Sequence, residues 1–184
     1  YGQIYLVSVY LAQKFTGKYY IMLLTSLSLE ELMEIPLPTI YEQKRLCFRP
    51  TVRFVNHVYE LINYEVFGNE LYKPKLEVQS HCRKYWGMCL GHTHRTFTGS
   101  YCTIRMMDKY FCPQWFITTL AHEMVHQYQW DVIGPEREEE GKDFLMSHGP
   151  TFFIFRERLE KHYIPLKTAF SQRRWYRHQD LFKT

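Results

Sequence analysis

The chain lacks the residues and spacings on which small secreted or metal-stapled scaffolds depend. Its five cysteines, Cys47, Cys82, Cys89, Cys102 and Cys112, are odd in number and include no C-x-x-C pair. That argues against a disulfide framework and against a zinc ribbon. It points instead to an intracellular, reducing compartment, cytoplasmic or nuclear. Long apolar runs are missing as well. Residues 4–11 and 20–24 are the best candidates, and both are too short and interrupted to span a bilayer, so no membrane partner is expected. No basic region followed by an apolar core and a small-residue cleavage site opens the chain. The first residue is Tyr1 and not Met, as in a fragment or a processed chain. Repeats and low-complexity tracts are absent too.

What is present fits one globular domain. The 184 residues are 46% hydrophobic and 23% charged, enough apolar content for a proper core. Aromatics reach 17%, with 15 Tyr and 13 Phe, as in a fold packed by rings or one with aromatic contact surfaces. The net charge of +4 is unevenly placed. Lys161, Lys167, Arg173, Arg174, Arg177 and Lys183 face only Asp180 in the last 24 residues, leaving the rest of the chain near neutral. The stretch "RRWYRH" at 173–178 interleaves basic and aromatic residues. Such a tail can hold the phosphates of DNA, and a solvated charged terminus explains it equally well. The expected division is an N-terminal extension over 1–38, a main domain over 39–166 and a basic tail over 167–184.

Local patterns predict the elements. "QIYLVSVY" and "YYIMLLTS" read as two strands, and "SLEEL" at 28–32 has the S-x-x-E form of a capping box that opens a short helix. From residue 39 to 66 the pattern is helical, with Val52, Val55, Val58, Tyr59, Ile62 and Val66 on one face and Gly68 and Asn69 closing it. "KPKLEVQ" reads as a strand, and residues 85–107 as a hairpin turning near Gly99. The clearest helix runs from Pro113 to Gly134, with an apolar stripe of Ile117, Ala121, Met124, Val125, Tyr128 and Val132. After a charged loop, "HGPTFFIFRERLEKHY" starts another helix whose inward face is Phe152, Phe155, Leu159 and Tyr163.

The chemistry centres on "LAHEMVHQYQ" at 120–129. His122 and His126 stand in the order H-E-x-x-H, one helical turn apart and on one face, where two imidazoles can grip one ion. Glu123 points about a third of a turn away, suited to touching a metal's water and not the metal. Zinc with three protein ligands keeps a fourth position for water and makes that water acidic. Glu123 would take its proton and deliver it to the leaving amine. The bland alternative is a surface helix with two chance histidines and a solvated Glu. The well-delimited helix, histidines that avoid its apolar stripe, and a good third ligand downstream all weigh against it. A metzincin would carry Gly and His where Gln129 and Val132 stand, so that class is excluded. Glu136, Glu138, Glu139 and Glu140 are alternative third ligands, though in a run that reads as a solvated loop. His148 is the better candidate. It lies 22 residues beyond His126, just before a new helix, where Gly149 and Pro150 restrict the backbone.

The ordered series "INYEVFGNEL", "YWGMC", "GSYCTIRM", "PQWFITTLAHEMVHQ" and "HGPTFFIF" resembles the SprT-like family of zinc metallopeptidases, which includes the Spartan proteases. The resemblance covers roughly residues 64–165. It implies an α+β, zincin-like fold in which a small mixed sheet packs against the active-site helix and a following helix. It also implies one catalytic zinc ion on His122, His126 and His148, Glu123 as catalytic acid and base, and protein substrates associated with DNA. The zinc ribbon of many relatives is not visible here, and residues 1–38 have no recognised counterpart.

Three further expectations follow. His81, Cys82, Cys89, His92 and His94 are close in sequence, but their spacing fits no common zinc pattern, so they are read as structural. Tyr128, Tyr163 and His162 are candidates for stabilising an oxyanion. An extended substrate would add to the sheet along an edge near residues 100–107. The alternative from another class is a non-catalytic module that binds nucleic acid or protein and uses zinc as a closed, four-ligand staple.

Overall fold

Ser28 caps the short helix α1 (Leu29–Met33), as its S-x-x-E sequence requires. The Ser28 hydroxyl accepts from the Glu31 N–H at 3.2 Å, and the Glu31 carboxylate accepts from the Ser28 N–H at 2.8 Å. The structure, a computed structural model, describes residues 24–35, 48–80, 85–134 and 148–168. The first expected N-terminal strand, most of the second, His81, Cys82, the acidic loop at 136–140 and the basic stretch at 173–178 lie outside the described residues. The described end of the second, residues 24–26, is a helix end and turn and not a strand, with the Leu27 N–H on the Leu24 carbonyl at 3.4 Å. Leu24, Leu29, Leu32 and Met33 are buried in the same apolar core as the later elements. Two side chains fasten them there: Gln114 donates to the Ile35 carbonyl, and His57 Nε2 lies 3.1 Å from the Leu27 carbonyl.

Of the helix expected over 39–66, residues 39–47 lie outside the described residues, residues 48–51 are not helical, and the helix α2 spans Val52–Glu65. Phe48 pairs through backbone hydrogen bonds with Tyr110 at 2.7 and 2.8 Å, and the extended chain then passes through Pro50 to the cap at Thr51. The residue before a proline avoids helical backbone, which explains the non-helical approach to Thr51. Val55, Val58, Tyr59, Ile62 and Val66 are buried as expected, but Val52 in the first turn is 55% exposed. Phe54 takes the inward place there, 5.3 Å from the Phe48 ring and 5.5 Å from the Phe116 ring. Gly68 and Asn69 both adopt φ +62°, the left-handed turn that ends the helix.

Three strands form a mixed sheet in the order β1–β3–β2: β1 (Lys75–Gln79) runs parallel to β3 (Cys102–Met107), and β2 (Gly87–Gly91) runs antiparallel to it. Both the expected strand and the expected hairpin are present, and Gly99 turns the β2–β3 loop at φ +96°. The edge is not where it was expected. Residues 102–107 form the central strand, bonded on both sides, and so offer no free edge to a substrate. Among the described residues the edges are β1 and β2.

The long helix α3 (Pro113–Tyr128) is the spine of the fold. Pro113 opens it after Cys112, in a first turn where a missing N–H is harmless. It is far more enclosed than an amphipathic stripe implies. Between Pro113 and Gln127 the only residues not buried are His122 and His126. The helix then widens into a π-helical turn over Gln129–Ile133, closed by the Gly134 N–H on the Gln129 carbonyl at 3.2 Å. This change of register carries Val132 off the apolar stripe, leaving it 42% exposed.

Strand β2 lies directly on α3. Its helix-facing residues are Gly87, Cys89 and Gly91, alternating with period two. A Cβ on Gly87 would fall 2.9 Å from both Glu123 Cγ and Thr119 Cγ2, and one on Gly91 would fall 2.2 Å from the Trp130 ring. Only glycine lets backbone and helix approach this closely.

The segment after His148 is two helices, not one: α4 (Pro150–Phe153) and α5 (Arg156–Lys161). The break turns Phe152 toward α3 and Phe155 toward Phe67 and Tyr128, at ring distances of 4.4 and 4.6 Å. Leu159 is buried as expected. Tyr163 lies past the end of α5 at φ +58° and is half exposed, and Ile164 and Leu166 fill the core in its place. Among the described residues no helix is long and apolar enough to cross a membrane.

Candidate metal centre

His122 and His126 project from the one open face of α3, and His148 meets them from the start of α4. The three ring centroids are 4.9, 5.0 and 5.0 Å apart, and one ligand atom from each lies within 4.8 Å of the others. The Phe152 ring packs against all three, at 4.8 Å from His122, 4.9 Å from His126 and 4.7 Å from His148. An apolar wall behind imidazoles restricts their rotation and keeps water from competing for their nitrogens.

The outer nitrogens settle the tautomers. His122 Nδ1 lies 2.9 Å from the Lys167 carbonyl oxygen, and His126 Nδ1 lies 2.8 Å from Gln129 Oε1. Both partners only accept, so each Nδ1 carries the proton and each Nε2 keeps its lone pair for the centre of the group. His148 Nε2 stands 3.2 Å from His122 Nε2. Two imidazole nitrogens this close can meet on one cation, and without one the His148 N–H can donate to the His122 lone pair. Burial, and then the neighbouring His126 and His148, push His122 down to about 3. Burial lowers His126 against the opposing Gln129 bond, and burial lowers His148 too. All three are neutral at neutral pH, the form that binds metal. The described residues thus bring together a group able to hold a metal ion.

Glu123 is not the solvated carboxylate of a surface helix. It is 6% exposed under β2, and its carboxylate accepts from the Cys89 backbone N–H. Burial raises its pKa to about 8, and the Cys89 bond only partly offsets this.

Other candidates sit elsewhere. His92 Nε2 bonds the Thr103 hydroxyl at 2.9 Å, His94 is exposed, and Cys89 is a free thiol beneath the sheet. None of them joins the three histidines among the described residues. Tyr128 packs on Phe67 and Phe155, and His162 Nδ1 lies 3.8 Å from the Glu30 carboxylate. Neither side chain, nor Tyr163 past the end of α5, is part of the three-histidine group.

Several supporting groups were not foreseen: the Lys167 carbonyl, Gln129, Gly87 and Gln127. Gln127 is fully buried. Its amide donates to the Tyr72 carbonyl at 2.6 Å and to Asp131 Oδ2 at 2.7 Å, and it accepts from the Tyr59 hydroxyl at 3.2 Å. Asp131 in turn accepts from the Tyr101 N–H at 2.7 Å. This network ties the end of α3 to α2 and to the approach to β3. Its one sequence signal is polar residues interrupting an otherwise apolar helix.

No protein-family model matches the chain, and no curated protein sequence matches it.

Proposed function

We propose that the chain is a zinc-dependent endopeptidase with a zincin-like fold, of the SprT-like kind its motifs resemble. The observation that carries this is the convergence of His122, His126 and His148 beside a buried Glu123. The donor set, three neutral imidazoles, is one that zinc favours. His122 and His126 would hold the ion through Nε2, because each Nδ1 is already committed; His148 would complete the set. Zinc with three protein ligands supplies Lewis acidity and makes water in its open position acidic.

The remaining work belongs to the chain's own residues. Burial alone leaves Glu123 largely protonated at neutral pH, and the positive charge of a bound ion would favour its carboxylate. That carboxylate would take one proton from the attacking water and return it to the amine nitrogen of the leaving peptide. A C–O bond forms, the C–N bond breaks and one water is consumed. The Cys89 N–H and the close approach of Gly87 hold Glu123 while this happens. An extended substrate fits along β2, the edge strand that lies on α3, rather than along β3. The resemblance extends the proposal to proteins associated with DNA. The tail expected to hold the DNA lies largely outside the described residues.

The full chain loaded with one equivalent of zinc should cleave an unfolded protein such as casein. A chelator should stop the cleavage and added zinc should restore it. Stoichiometric zinc without cleavage of any unfolded protein or DNA-bound protein would overturn the peptidase proposal, and a failure to bind zinc would overturn the metal assignment.

A further inference from the structure

Gln129 touches more of the metal centre than His126 alone. Its surroundings give it a role of its own. It is fully buried at the point where α3 passes into the π-helical turn, its N–H directed at the carbonyls of His126 and Val125. Its two amide atoms face different partners. Oε1 accepts from His126 Nδ1 at 2.8 Å, and Nε2 donates to the Thr151 hydroxyl at 2.9 Å. Thr151 belongs to α4 and stands three residues beyond His148. A single side chain therefore touches one ligand directly and grips the element that presents another. The two ligands are 22 residues apart in sequence.

We infer that Gln129 is a positioning residue for the metal group: it fixes His126 with its proton on Nδ1 and ties the His148 segment to α3. The bond to His126 keeps the Nε2 lone pair on the ligand side and stops the ring from turning. The bond to Thr151 sets the distance between the two ligand-bearing elements. Buried hydrogen bonds hold such an arrangement better than packing alone, because they are directional and are not exchanged for bonds to water. The inference rests on the zinc proposal for its effect on affinity, but not for its effect on the His126 tautomer.

The chemistry of the side chain makes the test selective. Glutamate at 129 still accepts from His126, and it can accept from the Thr151 hydroxyl if that hydroxyl rotates to donate. Methionine has a similar shape and offers neither bond. In the full chain, Gln129→Met should weaken zinc binding by about 10–100-fold in chelator competition. Gln129→Glu should stay within a few-fold of wild type, and Thr151→Val should fall between them. In metal-free protein, ¹⁵N NMR should find His126 protonated at Nδ1 in wild type and in Gln129→Glu, and a mixture of tautomers in Gln129→Met. Far-ultraviolet circular dichroism establishes that each variant is folded. If Gln129→Met does not fold, Thr151→Val and Gln129→Glu still test the two bonds separately.

Wild-type zinc affinity in Gln129→Met, or an equal loss in Gln129→Met and Gln129→Glu, would overturn the inference, since the second outcome assigns the residue to packing only. If Thr151→Val binds zinc as wild type does, the tie to His148 is wrong. If the wild type itself binds no zinc, the metal proposal fails, and the NMR tautomers alone decide the role of Gln129.

Discussion

A Glu123→Gln chain should bind zinc as the wild type does and hydrolyse peptide bonds about 10²–10⁴-fold more slowly. Glutamine keeps the shape of the side chain and can still accept from the Cys89 N–H, so the strand–helix contact survives. What it loses is the ability to take and return a proton. Parallel measurements of kcat and bound zinc separate the two effects. A variant that cleaves as fast as wild type would remove Glu123 from the role of base. The same substitution has a second signature in the metal-free protein. Burial raises the folded-state pKa of Glu123 from 4.5 to about 8. The folded protein therefore holds the proton more tightly than the unfolded chain does. The stability this provides is complete below the unfolded value and is lost as pH rises toward the folded one. Glutamine does not titrate. In the presence of chelator, the Tm of Glu123→Gln relative to wild type should therefore climb between about pH 5 and about pH 8 and level off above that. A difference that stays flat across this window would mean that Glu123 is solvated.

Gly87→Val should damage both the fold and the site. The first carbon of any side chain there lies 2.9 Å from Glu123 Cγ and Thr119 Cγ2 and 3.0 Å from Glu123 Oε1, and valine adds two methyls to that. Overpacking of this kind costs about 1–3 kcal/mol, a fall in Tm of several degrees. Activity should drop further than stability or metal content accounts for, because the group displaced is Glu123 and not one of the ligands. Gly91→Val provides the comparison. It collides with the Trp130 ring, so it should destabilise similarly while sparing Glu123. Wild-type Tm and activity in Gly87→Val would mean that β2 does not lie on α3 as described.

How much of this was legible depended on how local the governing physics is. The capping box at Ser28, Pro113 at the head of α3 and the turn at Gly68 and Asn69 are rules of a few adjacent residues, and each held. The spacing of His122 and His126 is equally local, and His148 was singled out by its chemistry and by the Gly149–Pro150 step beside it. Strand order is another matter. Alternation in residues 102–107 says that a strand exists but not which strands flank it, and each residue of the parallel partner β1 pairs with one 28 positions later. The apolar stripe of α3 underestimated its burial, because Thr118, Thr119 and Gln127 are buried polar residues that a hydrophobic pattern counts as surface. Val52 and Tyr163 failed at helix ends, where the helical period no longer determines direction. The G-x-C-x-G of β2 was in plain view, but its meaning depends on what packs against it. Gln129 was similar: its value lies in Thr151, a partner 22 residues away.

The most direct test of the central claim is a crystal structure of the full chain grown with zinc. The account predicts one ion held by Nε2 of His122, His126 and His148 at about 2.0–2.1 Å, with solvent in the fourth position near Glu123. A fourth protein ligand closing the shell, or zinc bound away from these three histidines, would contradict it.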